Sequence, residues 1–234
     1  FNLLCITFFL VPCIIFFNYK KKKKILFLFS FILILCINFF YGTSVIKKYN
    51  EFNKINLNFI IKIISPKVDI KRFFENEAPE ETILELIKLS EPDSSKNTLF
   101  IFPEGVLSNI YLQDLKNFSY IFSDNFSDQH NIILGISSYE NSEVFNSLVL
   151  LDNNVNILAK YDKNKLVPFG EFLPFENFLS NFGLKKITQG YQSFSSSNER
   201  KIIKYNNFKF IPLICYEVIY SGNINKNKKD FDFI

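Results

Sequence analysis

Three residues of this chain carry side chains that together can run acyl chemistry. They are Glu104 in "FPEG", Lys163 in "YDKNK" and Cys215 in "IPLICYEV". A free thiol is mostly protonated at neutral pH, and the thiolate is the nucleophile. A carboxylate within hydrogen-bond reach can take that proton, and an ammonium can hold the negative charge that develops on an attacked carbonyl oxygen. The other route to an activated thiol, a Cys–His pair, must use His130, the single histidine. "SDQHNII" reads as a loop leading into a strand, so His130 is expected at the surface. Each residue also has a plainer reading. Glu104 fits an acid favoured at a helix N-terminus, Lys163 is one lysine among many, and Cys215 fits a small apolar side chain in a core. Residue type alone leaves Cys215 open between these.

The elements that must position them come in two kinds. Residues 1–17 and 25–43 are two apolar stretches without charge, separated by a basic block at 18–24 that contains Lys20 to Lys24. A bilayer-spanning helix needs about 20 apolar residues, with a range of roughly 17–25, so both stretches are expected to span. The lysine loop is expected on the cytoplasmic side, which sends the chain after a connector at 44–56 outward. A net charge of +4, concentrated in that block, excludes a nucleic-acid surface, which would interleave basic and aromatic residues on a folded face. Cys5, Cys13 and Cys36 fall in the apolar helices, leaving Cys215 the one thiol in the domain outside. There it is either buried and inert or a working thiol.

From residue 57 onward the pattern alternates. "NLNFIIKIISP" reads as a buried strand. "APEETILELIKLSEP" places Ile83, Leu84, Ile87 and Leu89 at helical spacing. "NTLFIFPE" reads as a short strand stopped by Pro103, Leu107 to Phe122 as a helix, and "NIILGISSYE" as a strand. "VFNSLVLLDNN" with "VNILAKYDK" makes a hairpin across Asn153–Asn154, and "KIIKYNN" with "FKFIPLICYE" makes another. "LVPFGEFLPFENFLSNFG" reads as an ordered loop with a short helix, its phenylalanines either a lid toward lipid or core. Strands and helices in this order indicate an α/β sandwich. Glu104, Lys163 and Cys215 each close a strand, so they share one rim if those strands are neighbours. The chain has no Met and ends "KKDFDFI" within an apparent strand opening; sequence is expected beyond both ends.

"FPEG", "YDKNKLVPFGEFLPFE" and "ICYEV" resemble, in order and spacing, the three signature blocks of the apolipoprotein N-acyltransferase family, a membrane branch of the nitrilase superfamily. The middle block is the most specific. The resemblance implies a nitrilase-like αββα sandwich over 57–234, incomplete at its C-terminal end and preceded by transmembrane α-helices. It implies a Glu104–Lys163–Cys215 triad, with Glu171 of "PFGE" orienting Lys163 or an incoming amine, and Tyr216 and Glu217 supporting. It implies acyl transfer by way of a Cys thioester, from a phospholipid such as phosphatidylethanolamine to the N-terminal amine of a diacylglyceryl-apolipoprotein. No cofactor, metal or nucleotide is required, and the setting is a bacterial inner membrane with the catalytic domain on the periplasmic side. The sequence departs from the pattern at Lys165, where the family has His or Arg, and in lacking Trp, for which Phe73 or Phe74 stands in. A membrane-tethered amidase with the same triad, or a non-enzymatic membrane scaffold, are the rival readings.

Overall fold

Apolar residues that recur without any polar face leave a helix no side to turn toward water, and the segment after the lysine block is of this kind. In the computed structural model, which describes residues 6, 9, 18–52, 58–67, 78–108, 110–175, 193–220 and 231–232, this segment is helix α1, Lys21–Phe52. The helix takes in four of the lysines and continues beyond residue 43. Leu26, Phe29, Ile37 and Phe40 point outward from it, exposed. Two of its hydroxyls are satisfied within the helix: Ser30 donates to the carbonyl of Phe27 at 2.8 Å and Thr43 to that of Phe40 at 2.9 Å. The stretch Lys21–Lys48 is long and apolar enough to cross a bilayer. Most of 1–17, expected to form a further span, lies outside the described residues.

Residues Phe1–Leu57 and Asn58–Ile234 form two separate units. The second is built on a five-stranded sheet in the order β1-β2-β3-β4-β5. Its strands are β1 (Ile60–Ile63), β2 (Thr98–Glu104), β3 (His130–Glu140), β4 (Glu143–Asp152) and β5 (Ile157–Asp162). β1, β2 and β3 run parallel, and β3, β4 and β5 antiparallel. The parallel pairs need crossovers. Helix α2 (Pro79–Ser90) supplies the first; a 3-10 turn (Asp114–Phe118) running into helix α3 (Ser119–Asn125) supplies the second. The long helix expected over Leu107 to Phe122 is therefore corrected, because the chain is irregular before Asp114 and its side chains there enter the core singly.

Local chemistry explains the elements. α2 starts with Pro79 at its first turn beside Glu80 and Glu81, which suits the free N–H groups and positive dipole end. At its other end, Lys62 Nζ donates to the carbonyls of Ser90 and Glu91 at 3.0 and 2.9 Å. The buried stripe of α2 is Ile83, Leu86 and Ile87, while Leu84 and Leu89 are 47% and 48% exposed. That stripe packs in one core with Phe100 and Phe102 of β2, Ile132, Leu134 and Ile136 of β3, and Val149 and Leu151 of β4. Alternation along the strands sends Leu99, Ile133 and Leu150 to the opposite face, also buried. A second sheet, β6 (Ile203–Tyr205) with β7 (Phe208–Phe210), reaches that face: Tyr205 donates to Asn131 at 3.0 Å, and Phe59 packs edge-on against Tyr205 and Phe208. The result is an α/β arrangement with two sheets.

The turns follow their residues. Asn141 and Ser142, both at positive φ, join β3 to β4 as such two-residue hairpins require. Asp152 accepts from the backbone N–H groups of Asn154 and Asn156 and fixes the β4–β5 hairpin. β1 corrects the expectation of a buried strand: it is a sheet edge, with Ile63 75% exposed. β2 corrects the idea that Pro103 stops a strand, since it runs on to Glu104. β7 ends at Phe210, so Cys215 does not sit on a strand; it opens a 3-10 turn, Cys215–Tyr220.

Candidate functional site

Glu104 owes its position to a break in the sheet. Ile101 pairs with Ile133, but the next partner of Gly135 is Glu104, so β2 gains a residue over β3. Pro103, without an N–H to donate, sits in that break. The strands come so close that a Cβ on Gly135 would lie 2.8 Å from the Cα of Glu104, which only glycine allows. Gly105 then turns the chain at φ 68°. The Glu104 side chain is left exposed at the strand end, beside an open cavity of about 410 Å³ walled by Ile63, Ile64, Ile101, Phe102 and Val106.

Lys163 follows β5 directly and is held across from β4: its N–H donates to the carbonyl of Asn146 at 2.8 Å, and its carbonyl accepts from Ser197 at 3.0 Å. Its side chain is only 1% exposed, and Nζ lies 2.8 Å from Glu171 Oε1. A buried ammonium must be paired to be tolerated, and Glu171 is the pair. Glu171 is itself held by its own loop, since Val167 N donates to its Oε2 at 2.9 Å and its N donates back to the Val167 carbonyl at 2.8 Å. Phe169 in the same loop takes φ 63°.

Asn146 joins these groups. Its Nδ2 donates to Glu104 Oε1 and to Glu171 Oε1, at 2.8 Å each. Glu104, Glu171 and Lys163 thus form one hydrogen-bonded cluster at the C-terminal ends of β2 and β5.

Cys215 is free and exposed and has φ 52°, left-handed backbone that costs a non-glycine residue roughly 1–2 kcal/mol. Its Sγ makes no hydrogen bond to Glu104 or Lys163 among the described residues. What ties it to the cluster is Glu217, which is fully buried. Oε1 of Glu217 accepts from Tyr161 Oη at 2.9 Å, from Asn164 N at 2.9 Å and from Lys165 N at 3.0 Å. Oε2 accepts from Ile214 N at 3.0 Å, the residue before Cys215. One carboxylate therefore pins the Cys215 turn to the two residues after Lys163. Tyr216 is 56% exposed beside it.

Burial and the neighbouring Glu217 charge push the Tyr161 hydroxyl above its ordinary value near 10. The folded state thus binds this proton more tightly than the unfolded chain does. The resulting stability is complete below about pH 10 and is lost as pH rises further. We expect the unfolding midpoint of the protein to fall more steeply between pH 9 and 11 than that of Tyr161→Phe; equal slopes would show that Tyr161 carries no such linkage.

His130 corrects the expectation of a surface residue. It is 1% exposed at the start of β3, where Nδ1 accepts from Ser127 N and Nε2 donates to the Asp93 carbonyl. Both ring nitrogens are used in structure. Lys165 is exposed, and Phe73 and Phe74 lie outside the described residues, as does the loop after Phe175 up to residue 192. Sequence reading missed Asn146, Gly135 and Tyr161. Asn146 left one trace, an amide inside the apolar strand "VFNSLVLLD".

A buried lysine–glutamate pair, a second glutamate at a strand end and an exposed cysteine on a strained turn, on an α/β frame, define a class. Residues 98–231 match the carbon-nitrogen hydrolase family, and the chain belongs to that family. An apolipoprotein N-acyltransferase of Rhizobium leguminosarum is 28% identical over 187 residues, covering 75% of this chain and 35% of that protein. One of Wigglesworthia glossinidia brevipalpis is 27% identical over 232 residues, covering 95% of this chain and 44% of its own length. The chain spans between a third and a half of the length of these relatives. A solved CN-hydrolase superfamily protein of Xanthomonas campestris aligns with a TM-score of 0.45 at 14% identity, over 70% of this chain and 56% of that one.

Proposed function

We propose that this chain is the catalytic part of an apolipoprotein N-acyltransferase, working through a Cys215 thioester. The observation that carries the reading is the Glu104–Asn146–Glu171–Lys163 cluster, joined through Glu217 to the turn that presents Cys215. Glu104 takes the thiol proton, and the thiolate attacks an ester carbonyl of a phospholipid, with phosphatidylethanolamine as donor. Lys163, oriented by Glu171, holds the charge on the carbonyl oxygen. The ester C–O bond breaks, Glu104 returns its proton to the leaving alkoxide, and lysophospholipid departs. The α-amine of a diacylglyceryl-cysteine then attacks the thioester, loses a proton to Glu104 and releases the thiolate as the amide forms. The apolar cavity beside Glu104 suits a hydrocarbon chain. Helix α1 suits a tether that keeps the site near substrates confined to the bilayer. Its lysine-rich start favours the cytoplasmic side for that end and the periplasm for the catalytic unit.

The test is the full-length protein in vesicles containing labelled phosphatidylethanolamine and a synthetic diacylglyceryl-cysteinyl peptide. The expected product is the N-acylated peptide with one lysophospholipid per turnover. Hydrolysis of a small soluble amide without such transfer would replace this reading by an amidase.

A further inference from the structure

Asn146 lies outside all three sequence motifs, yet its side chain touches both glutamates of the cluster and its backbone carbonyl holds Lys163. We infer that Asn146 is a positioning residue that divides labour between the two glutamates, committing Glu171 to Lys163 and keeping Glu104 for the thiol proton. This rests on the reading of Glu104 as the base.

A primary amide has two protons on Nδ2, and here each carboxylate receives that nitrogen at 2.8 Å. Two oxygens bridged by one nitrogen lie within about 6 Å of each other, close enough for like charges to repel strongly in a partly buried site. One ammonium serves the cluster, and Lys163 Nζ pairs with Glu171 Oε1 at 2.8 Å. Without a donor between them, the two carboxylates compete for Lys163, and a Glu104 bound to that lysine is a poorer proton acceptor. The charged groups facing Asn146 are Glu104 from β2, Glu171 from the loop after β5, and Lys163. Both oxygens of Glu171 are engaged: Oε1 takes Lys163 and Asn146, and Oε2 takes Val167 N. Glu104 accepts on Oε1 alone among the described residues, which leaves Oε2 open for the proton of Cys215. Asn146 is 9% exposed and is held by the β4–β5 pairing, with its neighbour Ser147 opposite Asp162. The amide is thus fixed before substrate arrives.

The experiment measures alkylation of Cys215 by iodoacetamide in the full-length protein, read by mass spectrometry on the Cys215 peptide, with melting midpoints taken in parallel. Asn146→Ala is expected to slow alkylation roughly ten- to hundredfold, the scale of one hydrogen bond to a charged group. Asn146→Asp, equal in shape but without the donor, is expected to be at least as slow. In the Glu104→Gln background the effect of Asn146→Ala should vanish, because it acts through that carboxylate. A merely structural role predicts a near-normal Asn146→Asp and an unchanged cost of Asn146→Ala in both backgrounds, and either result overturns the inference. If Asn146→Ala does not fold, Asn146→Ser takes its place in the cycle. Normal alkylation of Glu104→Gln itself would overturn the base assignment, and so is told apart from a failure of Asn146 alone.

Discussion

On the proposed reading, Cys215→Ala in the full-length protein is expected to abolish N-acylation of the lipopeptide, a loss of at least about 10³-fold, while the protein still partitions with membranes. The reason is chemical: Cys215 is the one described thiol in the unit that holds the cluster, and on this reading Glu104 and Lys163 assist it. The thioester should be visible in the wild type as an acyl adduct on the Cys215 peptide when donor is supplied without acceptor, and missing in Cys215→Ala. Cys215→Ser keeps the shape of the turn and its φ of 52°, and still loses turnover because an alcohol is a far weaker nucleophile at neutral pH. Normal transfer by the alanine variant would remove the triad from consideration.

The second large effect is expected at Glu217. Replacing it by alanine takes the acceptor from four donors at once: the buried Tyr161 Oη and Ile214 N–H, and the part-buried N–H groups of Asn164 and Lys165. A buried donor left without a partner costs about 1–3 kcal/mol, and water entering the cavity recovers part of that. We expect Glu217→Ala to destabilise the catalytic unit by roughly 3–5 kcal/mol, near the upper end for single substitutions. Turnover should fall with it, because the Cys215 turn and the segment after Lys163 lose their common anchor. Glu217→Gln should sit between, since its amide oxygen accepts some of these donors and its NH₂ opposes the others. Thermal unfolding of both variants checks this. A Glu217→Ala protein that melts like the wild type would show that the turn is held by other contacts.

Much of this was legible because its causes are local. Helical spacing in "ETILELIKLS" gave α2, although the actual stripe uses Leu86 and leaves Leu84 and Leu89 to solvent. A stripe of the right period can be rotated by one position, and only the sheet it meets decides which. Alternation gave the two expected hairpins, β4–β5 and β6–β7; positive φ falls on Asn206 in one, as residue type suggests, but on Val155 in the other, which residue type does not announce. His130 shows the opposite. Nothing next to it in sequence announces that Asp93, from another connection, will accept its proton. The edge position of β1 was equally hidden, because a run such as "IIKI" reads the same at an edge as in the centre.

Sequence by itself determined helix α2, most of the strands, the apolar span and the identity of Glu104, Lys163, Glu171, Cys215 and Glu217 as chemically fit residues, because residue type and short-range period carry that information. Tertiary structure alone decided how they are joined. Asn146 reaches across 42 residues to Glu104 and 25 to Glu171, and Glu217 reaches back 56 to Tyr161. Such contacts depend on strand register and on a bulge opposite Gly135, which no neighbouring residues encode. Cys215 stands on a turn after β7 at φ 52° rather than on the strand itself, and Glu217 ties Ile214 N, just before it, to the segment after Lys163.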